Sequence, residues 1–355
     1  MKKFLTIISY TVLPVWLVLV GMATWLWITN DNSGDLMRLG LIDGGAEYTD
    51  SISELALPKV YYDGQNNDSL LRRDTCGVLV VGDSFSHGGG VGKSGDYVNY
   101  LAHESGLKVV VYTPPEDPTL DSPMQIAYDL LRLGVIDSTN CPNLVVQEVE
   151  RYLVDRHCRF VTTHTSIPRP SDEEEAEDAT DNKRKDYSPL LRVKDFVFYR
   201  FLGANPIYTA QLNGPLFGGE EPSKLYFYND DVKLGFNVSE SGREQVVDCF
   251  KQVINMARHQ GVNLVILIAA DKYDMYQDFI VPENPYPTKT LNEDIARWMP
   301  DESKQHLLFS KDVLHPLLQQ GVKDVYLYND THWSPASSHL ISQAIIERLK
   351  QLIVE

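Results

Sequence analysis

Residues Val78–Gly90, VLVVGDSFSHGGG, decide the fold. Four aliphatic residues in a row, without alternation, describe a strand buried on both faces, as in a parallel sheet covered by helices. The run ends at Gly82, Asp83 and Ser84 and passes through Gly88 into a glycine-rich turn, so a serine stands at the strand's carboxyl end. Open α/β sheets present ligands at that edge, where backbone N–H groups can face a developing oxyanion. A turn serine beside an Asp83 that satisfies backbone donors reads the same way locally, so a second motif must separate the two.

Outward from this stretch the pattern repeats at KVVVYT (108–113), LVVQEV (144–149), NLVILIAA (263–270) and DVYLY (324–328), which predicts five buried parallel strands. Helices with legible ends lie between them. Ser122 and Pro123 cap and start one over MQIAYDLLRL, with Gly134 just past its end. A second runs from about Glu244 to His259 and stops at Gly261, and a third starts at Ser334 and Pro335 and continues through HLISQAIIERLKQLI. The alternation predicts an α/β doubly wound sheet with right-handed crossovers.

The second motif follows the last of these runs. DVYLYNDTHWSP sets Asp330 and His332 on the same sheet edge as Ser84. Residues i and i+2 of an extended loop project to one side, so Asp330 can accept the Nδ1 proton of His332 while Nε2 faces Ser84. A hydroxyl is a weak nucleophile and needs such a base and such an orienting carboxylate.

The flanks define the setting. Phe4 to Ile28 is almost wholly apolar and uncharged, long enough to cross a hydrocarbon core of roughly 30 Å. Lys2 and Lys3 precede it and Asp31 and Asp35 follow, which predicts a single-pass anchor in the inner membrane, the N-terminus cytoplasmic and the bulk extracytoplasmic or periplasmic. A cleavable signal peptide is the competing reading, although no small-x-small site follows. Residues 30 to 75 read as a tether and 76 to 355 as the domain. An acidic insertion near 168–187, SDEEEAEDATDNKRK at its centre, reads as a solvated loop, and Phe196 to Tyr228 as a small cap or substrate wall. A formal charge of -17 excludes a broad phosphate-binding surface, hence nucleic acid. Cys76, Cys141, Cys158 and Cys249 form no CxxC pair, which speaks against zinc or redox centres and permits disulfides.

GDSFS near the start and NDTHW near the end resemble the SGNH/GDSL hydrolase superfamily, in particular its alginate O-acetyltransferase branch with the AlgJ and AlgX proteins. PNLVVQEVERYL (142–153), LVILIAADKYDMYQDF (264–279) and GDLMRLG (34–40) are similar to stretches of that branch. The Asp two residues before the His, rather than three, favours the acetyltransferases, whereas the serine motif comes first, as in ordinary GDSL enzymes. The resemblance implies a flavodoxin-like three-layer sandwich with a five-stranded parallel sheet, the SGNH hydrolase fold, and attack by Ser84 on an acyl donor. The superfamily's third block offers an oxyanion-hole Asn where this chain has Gln147 to Arg151. Candidate substrate-binding residues are Asp83, Gly88, Glu148, Arg151, Lys272 and Trp333, with Asp271 on the same edge; Glu148 and Arg151 fit a structural ion pair equally well. The flavodoxin strand order 2-1-3-4-5 brings Cys76 near Cys141, which predicts a disulfide there and leaves Cys158 for Cys249.

Three functions are compatible. The first is an O-acetyltransferase acting on an exported or cell-envelope polysaccharide, supplied by a multi-spanning membrane O-acyltransferase. The second is an esterase or deacetylase with the same triad. The third is a non-catalytic polysaccharide-binding scaffold. No cofactor and no metal are expected.

Overall fold

The computed structural model describes residues 2–29, 34–36, 62–64, 75–91, 95–112, 122–158, 193–194, 197–198, 201–202, 206–219 and 221–354. The expected acidic insertion and most of the expected tether lie outside these residues. The N-terminal helix α1 covers Lys2–Thr29, and its segment Thr6–Trp25 is long and apolar enough to cross a membrane.

Strands are β1 Tyr62–Gly64, β2 Val78–Val81, β3 Val109–Tyr112, β4 Asn143–Val149, β5 Ile207–Leu212, β6 Lys224–Tyr228, β7 Asn263–Ala269, β8 Ile280–Val281 and β9 Leu307–Phe309. An all-parallel sheet takes the order β1-β3-β2-β4-β7-β9. Without β1, its five strands stand in the order 2-1-3-4-5, so the α/β fold and its parallel sheet are those expected from the sequence. Alternate residues of each strand feed two cores. Val78, Val80, Val145 and Val265 pack with α2 (Tyr97–Ser105), while Leu79, Val81, Val146 and Ile266 pack with α3 (Pro123–Arg132) and α4 (Glu240–Gln260). The first core also takes α7 (Ser310–Gln319) and α8 (Pro335–Val354); the second takes α6 (Leu291–Trp298); α5 (Lys272–Tyr276) follows β7 at the carboxyl edge. Three layers result.

The helix ends obey local chemistry. Ser122 accepts from the Gln125 N–H to cap α3, and Gly134 follows with φ +62°. Helix α4 begins at Glu240, earlier than expected, because Ser239 caps it by accepting from the Gly242 N–H. Its stop at Gly261, φ +67°, is the expected one.

The fifth strand is a correction. DVYLY at 324–328 is a buried loop that touches the Trp333 backbone through one antiparallel bridge at Tyr326, and the fifth core strand is Leu307–Phe309. Tyr326 donates from its hydroxyl to the Ala270 carbonyl, which ties the loop to the end of β7. A short buried apolar run has no period that separates strand from packed loop, and the true strand was hidden in HLLFSKDVLHPLL, where it runs straight into α7.

Strands β6, β5 and β8 form a separate antiparallel sheet. Its buried Tyr226 and Phe227 join the first core, and Tyr208 stacks on Tyr286, so aromatics of the expected cap segment serve packing. The expected Cys76–Cys141 disulfide is a second correction: the four buried cysteines are thiols and no disulfide joins them. Strand order does bring Cys141 within hydrogen-bonding reach of Cys76, and Cys249 within reach of Cys158. Adjacency follows from topology, whereas the covalent bond also requires oxidation.

Candidate active site

The turn after β2 is built around missing side chains. A Cβ on Gly82 would lie 2.0 Å from Ser86 Oγ and 2.7 Å from Gln147 Oε1. The Asp83 carboxylate accepts the Phe85 N–H at 3.0 Å, and the Ser84 carbonyl accepts the Gly89 N–H at 2.7 Å, which curls the chain tightly. Buried Gly88 takes φ +81°. Ser84 is left exposed at the tip while Phe85 and Ser86 are buried beneath it. Among the described residues no acceptor takes the Ser84 backbone N–H, so it stands free beside the hydroxyl.

The loop 329–332 lies directly on this turn. A Cβ on Gly89 would come within 2.5 Å of His332 Nε2, and one on Gly90, at φ +73°, would lie 2.9 Å from the Asp330 carboxyl carbon. Only glycine lets the loops approach so closely. Ser84 Oγ is 2.7 Å from His332 Nε2, and Nδ1 of the same ring is hydrogen-bonded to Asp330 Oδ1. With Nδ1–H donated to the carboxylate, Nε2 is the acceptor for the serine hydroxyl. Burial works against the imidazolium, but the carboxylates of Asp330, Asp35 and Asp83 together hold the His332 pKa above its ordinary value. Burial likewise works against the Asp330 carboxylate, yet its bonds to His332 and to the Asp35 N–H hold its pKa below the usual range.

Comparison with known proteins gives partial matches. Residues 226–354 match the family described as SGNH hydrolase-like domain, acetyltransferase AlgX. The match covers about a third of the chain. A probable alginate O-acetylase AlgJ of Pseudomonas putida is 25% identical over 116 residues, 31% of this chain and 29% of that protein's length. The family match includes Asp330 and His332; Ser84 lies before it and reaches them only through the fold.

Elsewhere at and around this edge, polar candidates are locked into the framework. Lys272 is fully buried and donates to the carbonyls of Leu327, Tyr328 and Asp330 at 2.6, 2.9 and 2.9 Å, pinning the loop that carries Asp330. Burial pulls its pKa down to about 7. Trp333 is buried against Phe85, their ring centroids 4.4 Å apart, and Phe85 also covers the His332 ring at 4.3 Å. Glu148 faces the opposite side of the sheet, where it accepts the Met124 N–H at 2.9 Å and pairs with His157. Arg151 sits between Asp231 and Asp271 at 3.1 and 2.7 Å, the ion-pair alternative expected for it. The fold thus joins Ser84, Asp330 and His332, with Asp83 and Gly88 in the serine turn and Lys272 and Trp333 behind the loop; Glu148 is carried elsewhere.

Two residues escaped the sequence reading as members of the site. Gln147 occupies the third-block position: its Oε1 accepts the Asp83 N–H at 3.0 Å and the Ser86 hydroxyl at 2.9 Å, and its buried Nε2 has no partner among the described residues. Nothing in the local pattern distinguished it from its strand neighbours. Asp35 comes from the segment called a tether. Its N–H donates to Asp330 Oδ2 at 2.9 Å, and its carboxylate accepts the Thr331 N–H at 2.9 Å and the Thr331 hydroxyl. The motif GDLMRLG was the available signal. Asp35, Asp330 and His332 cluster closely enough to suggest a cation site, but their ligand atoms are engaged with one another and with Thr331 donors.

Proposed function

We propose that this protein is a membrane-anchored, extracytoplasmic O-acyltransferase that moves an acyl group, acetyl by the names of its relatives, onto a polysaccharide hydroxyl through acyl-Ser84. The observation that carries the reading is the exposed Ser84 Oγ at 2.7 Å from a His332 whose other nitrogen is held by Asp330. The match to acetyltransferase AlgX and the resemblance to a probable alginate O-acetylase support the transferred group and the sugar acceptor. The apolar helix α1 supports the anchor.

In this mechanism Ser84 Oγ attacks the acyl carbonyl carbon as its proton passes to His332 Nε2, and Asp330 stabilises the imidazolium. The Ser84 N–H is placed to donate to the carbonyl oxygen as negative charge grows there. Collapse breaks the bond to the donor's leaving group, which takes the proton from Nε2. An acceptor hydroxyl then gives its proton to Nε2 and attacks acyl-Ser84, and the serine leaves with that proton. The donor is a multi-spanning membrane acyltransferase partner, since cytosolic acyl carriers do not reach an extracytoplasmic serine. Esterase activity is the second reading, because the exposure of Ser84 also admits water.

The test incubates the full chain with an activated acetyl ester, with and without an oligosaccharide rich in free hydroxyls. Acetylated sugar exceeding released acetate supports transfer; acetate alone establishes hydrolysis. Activity that survives Ser84→Ala refutes the triad, and a parent chain that yields neither acetate nor acetylated sugar leaves a binding role.

A further inference from the structure

The tether is part of the site. Residues Gly34–Leu36 are buried against the loop that carries Asp330 and His332, although almost three hundred positions separate them in the chain. Two backbone donors of the segment bond the loop: the Leu36 N–H donates to the Asn329 carbonyl at 3.2 Å, and the Asp35 N–H to Asp330 Oδ2. Gly34 fits only because it lacks a side chain, since a Cβ there would stand 2.1 Å from the Asn329 carbonyl oxygen.

We propose that Asp35 is a positioning residue for the triad, holding Asp330 through its backbone N–H and Thr331 through its carboxylate, so that the segment leaving α1 completes the active site. The inference rests on the acyl-serine reading and deepens it. Asp330 Oδ1 is given to His332, and the Asp35 N–H occupies Oδ2, which fixes the carboxylate's rotation and through it the ring. The Thr331 N–H and hydroxyl, both bonded to Asp35, hold the residue between the two triad members. The charged groups facing Asp35 are Asp330 and His332 of the loop and the Lys272 ammonium of α5; Asp83 of the serine turn faces His332.

A geometric consequence concerns the membrane. Only residues 30–33 separate Thr29, the end of α1, from Gly34, and five residue steps span at most roughly 18 Å even when fully extended. The strap that positions Asp330 therefore also limits how far the triad can stand from the end of the apolar helix. That suits a donor delivered from within the bilayer.

The experiment uses the full chain in detergent micelles with an activated acetyl ester, recording kcat, KM, the pH dependence of kcat/KM and thermal unfolding. Asp35→Asn is expected to lower kcat about 10- to 100-fold with KM little changed. The acid limb of kcat/KM should move to lower pH, because the Asp35 charge helps to hold the His332 pKa up. Asp35→Asn combined with Thr331→Val should be little worse than either alone, because both act through one contact. An unchanged kcat and acid limb, or a fall in unfolding temperature alone, overturns the inference while Ser84→Ala remains inactive. Multiplicative losses in the double variant also overturn it. Activity retained by Ser84→Ala refutes the serine reading itself, and the inference with it.

Discussion

Two charged regions sit at the carboxyl edge of the parallel sheet and behave oppositely. Beyond β2, Ser84, His332 and Asp330 form a chain of hydrogen bonds that ends in an exposed hydroxyl. Beyond β4 and β7, Arg151, Asp231, Asp271 and Lys289 form an ion network that is almost wholly buried, with Glu150 beside it accepting the Asp271 N–H. The second region holds more charge and shows strong pKa displacements: burial and the neighbouring Asp271 push Asp231 up to about 7, and burial with Asp274 pushes Glu150 well above the carboxylate range. Charge density and perturbed titration therefore do not by themselves mark the proposed reacting centre. The proposed centre is marked instead by an exposed hydroxyl hydrogen-bonded to a histidine that a carboxylate holds in place. The closed network joins the β4 end through Arg151, the β6–α4 connection through Asp231 and the β7 end through Asp271, which makes it a clamp on the edge where the site is built.

Substitutions can break this contrast, and the largest effect is expected at the open region. Ser84→Ala should reduce turnover of an acetyl ester by about a thousandfold or more while the unfolding temperature stays near that of the parent. Arg151→Met should do the reverse. Removing one partner from a buried ion network costs about 3–5 kcal/mol, read by denaturant unfolding, while kcat per folded molecule survives. A hundredfold fall in that kcat would show that the network belongs to the chemistry. Gly89→Ala tests the interface between the serine turn and the His332 loop: its methyl would intrude on Nε2, and kcat should fall about a hundredfold from so small a change. The mildest effect is in pH. His332 must be neutral to accept the serine proton, and its pKa lies above the ordinary value, so the acid limb of kcat/KM should lie above about 6.5. An acid limb near 5 would mean that the surrounding carboxylates do not act on the ring.

The same contrast explains what was legible beforehand. Ser84, Asp330 and His332 could be read because each follows a recognisable apolar run, and because residues i and i+2 share a side in an extended loop. The reading of DVYLY as a strand was wrong, yet it still placed His332 on the correct edge, since the loop is pinned there by Lys272 and Tyr326. Arg151 and Glu148 could not be assigned from sequence, because adjacent residues of a buried strand and its exit face different layers. Asp35 could not be assigned because its partners lie almost three hundred residues away.

By itself the sequence determined the layered α/β architecture, the helix caps at Ser122, Gly134 and Gly261, and the apolar N-terminal helix, all of which depend on neighbours within a few positions. Tertiary structure alone decided that Leu307–Phe309 completes the sheet, that Arg151 is sealed into ion pairs, and that Asp35 reaches the loop carrying Asp330 and His332. The physical reason is range. Caps and periodicity are local hydrogen-bonding and burial demands, whereas a buried charge or a shared carboxylate is settled only when distant segments exclude water together.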